Sequence, residues 1–476
     1  MWYSYTQAAQ KSQCPRATQA DLDAVLLLVS ALVGRFKFVV CLIDCPDPDN
    51  VVLALVAAAE ARRKGASCRI VLTGRPIDLG VRQLRPAEVG ARLKAGDIPG
   101  GIAGLLVRTS SEVSVDQHSR AVLLDSASRF ERALRLHGFE LGEGLRLCDG
   151  GVAPSDPVAE NMHAKEYCFD RADLLEEYGV AGVSDGVGED VEGAASGVLP
   201  GVKAYWALWD AIERAAAATS GGETAGDETA AGGEALAREV LQRLRAPQSP
   251  LTSLEELAEE LASGGCCSVR LLVGGPLTAL NQLLSLKPAV AAKVTGANMM
   301  MCAWDAGLPE SKNIFKNQFN VGTDLEAARS LLEAHEGNPL WSNRVPVTLI
   351  TTETCKAPAL TLTAEALRER LAPAIRHGGV NAEYMLQLYA LWQGINGGRP
   401  FQIFDVACAL ADDESRRDTF SYRPAVARFD VEEGVLRLHE GAEEDWLRAT
   451  DRALPAGGEE AYYAALNEYF SLLAGS

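Results

Sequence analysis

Residues 36–74 constrain the fold more than any other part of the chain. Phe36-Lys-Phe-Val-Val-Cys-Leu-Ile-Asp44 is a nearly unbroken apolar run, the pattern of a central parallel strand covered on both faces. It leads through Asp44-Cys-Pro-Asp-Pro-Asp-Asn50 into a predicted helix from Val51 to Lys64, closed by Gly65. A second apolar strand, Cys68-Arg-Ile-Val-Leu-Thr73, ends at Gly74-Arg75-Pro76. Strand, helix and strand in this order make a β-α-β unit, and ligands of such sheets bind beyond the carboxyl ends of the strands. The expected fold class is therefore α/β, an open, mainly parallel sheet flanked by helices. At 476 residues the chain also has room for a helical N-terminal extension and insertions.

The remaining sequence divides around that unit. Residues 1–35 are expected to form the N-terminal helical extension, with an amphipathic helix over 19–34, and residues 36–440 the α/β domain. Two low-complexity insertions, near 181–200 and 215–235, are rich in Gly, Ala, Glu, Asp and Thr and read as loops or linkers. Between them a helix from Lys203 to Ala217 carries Trp206 and Trp209. Residues 424–440 alternate like a hairpin. Residues 441–476 are expected to be a C-terminal helical segment bearing Tyr462, Tyr463, Tyr469 and Phe470. These aromatics are either ordinary helix faces or a partner surface, since aromatic side chains concentrate at interface hot spots.

Composition excludes more than it identifies. Asp and Glu outnumber Lys and Arg by 64 to 45, a formal net charge of -19. That argues against nucleic acid or an anionic membrane as the main partner, because both need clustered cations. Eleven scattered cysteines, with an adjacent Cys266-Cys267 pair and no Cys-x-x-Cys, suit reduced thiols. The histidines have no metal-ligand spacing, and Met299-Met-Met301 reads as core packing. No apolar stretch is long enough to cross a bilayer, and the N-terminus lacks the basic start and apolar block of a secretory signal. A soluble, intracellular protein is expected, with the cytoplasm and the mitochondrial matrix both open.

Four segments carry a resemblance. Asp44-Cys-Pro-Asp-Pro-Asp-Asn50 follows the opening strand, and Gly275-Pro-Leu-Thr278 lies between the strand Val269–Val273 and a helix. Gln318-Phe-Asn-Val-Gly-Thr-Asp-Leu-Glu-Ala-Ala328 and Phe404-Asp-Val-Ala-Cys-Ala-Leu410 come later. In this order, over residues 36–440, they resemble the inosine-uridine-preferring nucleoside hydrolase family. The matching family patterns are Asp-x-Asp-Pro-Gly-x-Asp-Asp, Gly-Pro-Leu-Thr, Glu-Phe-Asn with Asp-Pro-Glu-Ala-Ala, and His-Asp-x-x-Ala. The resemblance implies a site at the carboxyl ends of a mainly parallel sheet. It also implies hydrolysis of an N-ribosidic bond by a water that calcium holds and a nearby carboxylate deprotonates.

Aligned without a gap, however, the chain departs from the family at most of the site. Asp44 keeps the first Asp of the signature, but the second, a calcium ligand in the family, falls on Pro46. The presumed base falls on Asn50 and the last calcium ligand on Val51. Neither Pro nor Val has a side-chain oxygen, and an amide cannot take a proton as a carboxylate does. A one-residue gap would pair Asp47 with the second Asp and Asp49-Asn50 with the final two; the ungapped register keeps the following apolar helix in phase. The family's Asn after the second strand falls on Arg75, and a ribose-contacting Glu falls on Gln318, while Asn320 is kept. The late His, an acid for the departing base, falls on Phe404; its neighbour Asp405, a calcium ligand, is kept. Gly274 stands where the family offers a backbone carbonyl to the metal.

The resemblance and these departures together lead to the expectation of a pseudoenzyme. It would be a catalytically inactive nucleoside-hydrolase-like protein, serving as a structural or accessory subunit of a larger assembly such as an organellar, for example mitochondrial, complex. Its partners would be other protein subunits, and it would need no cofactor. Asp44, Asp47, Asp49, Arg75, Gln318, Asn320 and Asp405 would line a vestigial ligand pocket, with Arg75 paired to Asp44, Asp47 or Asp405 in place of the metal's charge. Two other readings stay open. One is a calcium-dependent nucleoside N-ribohydrolase with a rearranged metal loop that uses Asp47, Asp49 and Asp405. The other is a non-hydrolytic nucleoside-binding protein that holds ribose hydroxyls with Asn320, Gln318 and Asp405. At the level of single residues, Asp44 and Asp405 also suit helix capping, and Asn320 suits a turn.

Overall fold

A computed structural model describes residues 36–45, 48–76, 81–83, 106–108, 115–155, 247–304, 317–376, 400–411, 414–442 and 446–473. The expected helices over 19–34 and Lys203–Ala217, the two low-complexity insertions and Asp47 lie outside these residues.

Nine strands form one sheet: β1 (Phe36–Cys45), β2 (Ser67–Gly74), β3 (Leu145–Val152), β4 (Cys266–Val273), β5 (Val294–Met300), β6 (Val347–Ile350), β7 (Tyr422–Asp430), β8 (Val435–Glu440) and β9 (Leu447–Thr450). Their spatial order is β8-β7-β9-β6-β5-β4-β1-β2-β3. From β3 to β9 all pairings are parallel. The edge hairpin of β7 and β8 is antiparallel. β1 lies inside the sheet, between β4 and β2, and its apolar run serves two cores. Val39, Cys41 and Ile43 face one cluster, and Phe38, Val40 and Leu42 the other. That is why the strand reads as continuous rather than alternating.

Helices cover both faces: α1 (Pro48–Arg63), α2 (Val115–Leu136), α3 (Leu254–Ala262), α4 (Thr278–Leu286), α5 (Phe319–Thr323), α6 (Leu325–Leu332), α7 (Val406–Leu410) and α8 (Gly458–Leu473). The first core cluster takes in α1, α2, α7 and α8, and the second takes in α3, α4 and α6. α1 starts three residues before the expected Val51, with Pro48 as its first residue. Proline suits that position, because its φ is already helical and its missing N–H would find no intrahelical acceptor. Asp49 and Asn50 therefore ride on the first helical turn instead of lying in a loop. After α1, Gly65 takes φ +61 and returns the chain to β2, as glycine does after a helix.

The C-terminal part differs from expectation in two respects. Residues after 440 supply a strand as well as a helix: β9 is inserted between β6 and β7. Four residues, Leu447-Arg-Ala-Thr450, are too short to announce a strand by pattern. The aromatics of α8 are also not a partner surface. Tyr462, Tyr463, Tyr469 and Phe470 are all buried in the core shared with α1 and α2. Among the described residues no helix is long and apolar enough to cross a membrane.

Candidate functional site

The chain order reverses beside β1. From β1 it runs outward to β2 and β3, then returns to β4 on the other side and continues to β5 and β6. The crevice at such a switch point, beyond the carboxyl ends of the strands, is where open α/β sheets bind ligands. β1 ends there with Asp44-Cys45, β2 with Gly74 followed by Arg75, and β4 with Val273 followed by Gly274-Gly275. Gly275 packs so closely on β1 that a Cβ would lie 2.6 Å from the Asp44 backbone nitrogen. A Cβ on Gly274 would lie 2.7 Å from Asn50 Oδ1 and 3.0 Å from Asp405 Cβ. Both glycines are required by this close approach rather than by a special φ.

An ion pair occupies the centre of the site. The Arg75 guanidinium pairs with the Asp44 carboxylate, and each residue is only 1% exposed. The amide of Asn50 donates from Nδ2 to Asp44 Oδ1 at 2.6 Å, and the guanidinium carbon of Arg75 lies 4.4 Å from the ring centroid of Phe319. Buried charges persist only when paired and hydrogen-bonded, and Asp44 has both kinds of partner.

The neighbouring groups are also held within the chain. Asp49 Oδ2 accepts the backbone N–H groups of Phe404 and Asp405, each at 3.3 Å, and so ties the start of α7 to the first turn of α1. Asp405 precedes α7, yet its side chain makes no cap hydrogen bond, so the capping explanation for it fails. Asn320 donates from Nδ2 to the carbonyls of Gly274, at 2.8 Å, and Met300, at 2.9 Å. It thereby ties together the carboxyl ends of the neighbouring strands β4 and β5. Gln318 is the N-cap of α5, its Oε1 accepting the Val321 N–H at 3.2 Å. Phe404 is half-buried and packs against the first core cluster.

Asp44, Asp49, Asn50, Arg75, Gln318, Asn320 and Asp405 are thus all buried at one end of the sheet. Two groups were not foreseen. Phe319 and the Met300 carbonyl belong to the site through contacts that no spacing announces. Three buried thiols also surround Asp405. Burial pushes Cys41, Cys355 and Cys408 well above the ordinary thiol range, and the Asp405 charge pushes them further. These cysteines stay protonated at neutral pH and pack as small apolar groups.

The described residues do not suit calcium. A calcium ion takes about 6–8 oxygen ligands, several of them carboxylates. Here the Asp44 carboxylate already holds a guanidinium. The Gly274 carbonyl accepts from Asn320, and Asp49 accepts two backbone N–H groups. A divalent cation beside Arg75 would also meet like charge in a low-dielectric setting. Among the described residues no group of three or more His, Cys, Asp or Glu is arranged to hold a metal ion.

Asn50→Asp, which puts the family's carboxylate at this position, is a direct check. It replaces the donor to Asp44 with a second negative charge at 2.6 Å. The variant is expected to be less stable by about 2–3 kcal/mol in denaturant titration, with no recovery on adding calcium. Calcium-dependent recovery would contradict this account of the site.

No family model matches the sequence, and no curated protein matches it either. Among solved structures, the chain is similar to an inosine-uridine-preferring nucleoside hydrolase from Bacillus anthracis, at 12% identity and a TM-score of 0.44, over 91% of this chain and 99% of that one. It is similar to an inosine-guanosine nucleoside hydrolase at 12% identity and a TM-score of 0.46, over 92% and 98%. The type III effector protein XopQ, in complex with adenosine diphosphate ribose, matches at 14% identity and a TM-score of 0.44, over 96% and 99%. At such identities, with TM-scores below 0.5, these likenesses say nothing about what this chain binds or does.

Proposed function

We propose that this chain is a catalytically inactive, nucleoside-hydrolase-like protein that acts as a structural or accessory subunit of a larger assembly. The observation that carries the reading is the buried pair of Arg75 and Asp44, with Asn50 as the second partner of Asp44. In the family that the sequence resembles, this crevice needs a calcium ion and a carboxylate base. Here a guanidinium supplies the positive charge, and an amide stands at the position of the base. Losing a general base alone costs a factor of about 10²–10⁴, and losing a Lewis-acid metal removes several kcal/mol more. The other polar groups support the same reading. Asn320 and Gln318 spend their amides on the protein's own backbone, which weakens the case for a nucleoside-binding role.

The experiment is an assay of the purified chain against a panel of purine and pyrimidine nucleosides, with calcium and with chelator. An active nucleoside hydrolase serves as the control. No release of reducing sugar above the uncatalysed rate is expected over hours. Calcium-dependent release would overturn the proposal and point to a rearranged metal loop. If release is absent, size-exclusion chromatography of native extracts should place the chain in a complex larger than its own 50.7 kDa. Elution as a lone chain would refute the subunit role.

A further inference from the structure

At the opposite end of the sheet lies a cleft of about 1140 Å³ along the amino-terminal ends of β1, β4, β5, β6 and β9. Its cations are Lys37, Lys64, Arg270, Arg344 and Arg448, and among the described residues no Asp or Glu lines it. Trp341, Tyr422 and Trp446 contribute aromatic surface. In a chain whose carboxylates outnumber its Lys and Arg by 64 to 45, five cations gathered along one cleft, with no Asp or Glu among its described lining residues, form a segregated surface.

Ordinary structural duties explain only part of it. Lys64 follows α1 and pairs with Glu60 at 2.7 Å, which fits a cation at a helix C-terminus. Lys37 and Arg448 lie on strands, and Arg344 in a turn; among the described residues none of the three makes an ion pair, and all are exposed. Arg448 is set in place by two contacts: Nε donates to Thr348 Oγ1 at 2.9 Å, and its guanidinium lies 4.3 Å from the Tyr422 ring centroid. The Arg270 guanidinium lies across Gly296 on the neighbouring strand, where any Cβ would collide with it. Arg344 has φ +51, a left-handed conformation in which an Asn or Gly would be less strained.

We propose that this cleft binds an extended acidic segment of a partner protein, with carboxylates on Lys37, Arg344 and Arg448 and apolar side chains on Trp341, Tyr422 and Trp446. Five neighbouring strands at about 4.8 Å spacing give a floor about 20 Å long, which holds about six extended residues. Arg, Trp and Tyr are the residue types that dominate protein–protein hot spots. A nucleic acid is the less favoured occupant, because a phosphate on every nucleotide meets the repulsion of a chain with net charge -19. A short acidic peptide is held instead by a few close pairs. The inference is independent of whether the Arg75 and Asp44 site is active.

The test uses the full chain and fluorescence anisotropy at low salt with three probes. These are a labelled peptide alternating Glu and Leu, the same peptide with Gln in place of Glu, and an oligothymidylate of equal length. The Glu peptide is expected to bind saturably, and the Gln peptide about tenfold more weakly or worse. The double variant Lys37→Gln/Arg344→Asn should weaken the Glu peptide by about tenfold while keeping the wild-type melting temperature, since both side chains are exposed and Asn tolerates positive φ. Arg428→Gln, an exposed cation on β7 outside the cleft, should leave binding unchanged. Equal weakening by both variants would overturn the proposal in favour of non-specific charge attraction. Tighter binding of the oligothymidylate would overturn it in favour of a nucleic-acid groove, and no binding of the Glu peptide would overturn it outright.

Discussion

Arg75→Ala is expected to lower the unfolding free energy by about 3–5 kcal/mol, the cost of leaving one member of a buried ion pair without its partner. Asp44 would keep Asn50 as a donor, but its charge, at 1% exposure, would lose the guanidinium that pairs with it. Asp44→Ala should cost a similar amount, because it leaves the guanidinium in the same position. The double variant Asp44→Leu/Arg75→Met should lose far less than the sum of the single variants, since a buried ion pair replaced by apolar residues of similar volume is often near neutral. Urea titrations of the three variants provide the measurement. A wild-type midpoint for Arg75→Ala would show that the pair carries no structural weight and would remove the main support for the proposed function.

Truncation after residue 445 is expected to leave no folded protein. The cut removes β9, which separates β6 from β7 in the sheet, so the edge hairpin loses the strand that attaches it. It also removes Tyr462, Tyr463, Leu466, Tyr469 and Phe470 from the core on α1. Full burial of one large apolar side chain is worth about 1.5–3 kcal/mol. The five together are therefore comparable to the total stability of about 5–15 kcal/mol that a folded domain has to lose. Circular dichroism and a thermal melt of the truncated chain would decide the point. A cooperative transition near the wild-type temperature would make the C-terminal part a separate unit.

The parts of the site that could be read in advance share one property: they are set by local chemistry. The Asp44-to-Asn50 segment, Arg75 after β2, Gly274-Gly275 after β4, Gln318 to Asn320 and Asp405 each lie at the end of a strand or the start of a helix that hydrophobic pattern reveals. Their gathering follows from the parallel sheet. Which groups pair could not be read. Three carboxylates were candidates for Arg75, and its pairing with Asp44 depends on the spacing of β1 and β2, in which Asp44 pairs with Thr73 two residues before Arg75. The early start of α1 had the same kind of cause. Once Pro48 begins the helix, Asn50 faces Asp44, and Asp49 reaches the backbone of Phe404 and Asp405, more than 350 positions away in the chain.

By itself the sequence determined the α/β class, the β-α-β opening, the edge hairpin and the strand ends at which the candidate residues gather, because strand burial and helix boundaries depend on residues within one or two turns of each other. The tertiary structure alone decided three other matters. It placed β9 inside the sheet, where a four-residue strand is specified by its neighbours rather than by its own pattern. It turned the aromatic face of α8 inward, because an amphipathic helix does not declare whether its apolar stripe meets the same chain or another. It also brought five cations from separate segments into one cleft of an acidic protein, since net charge is a sum over the chain whereas a binding surface depends on how the fold distributes it.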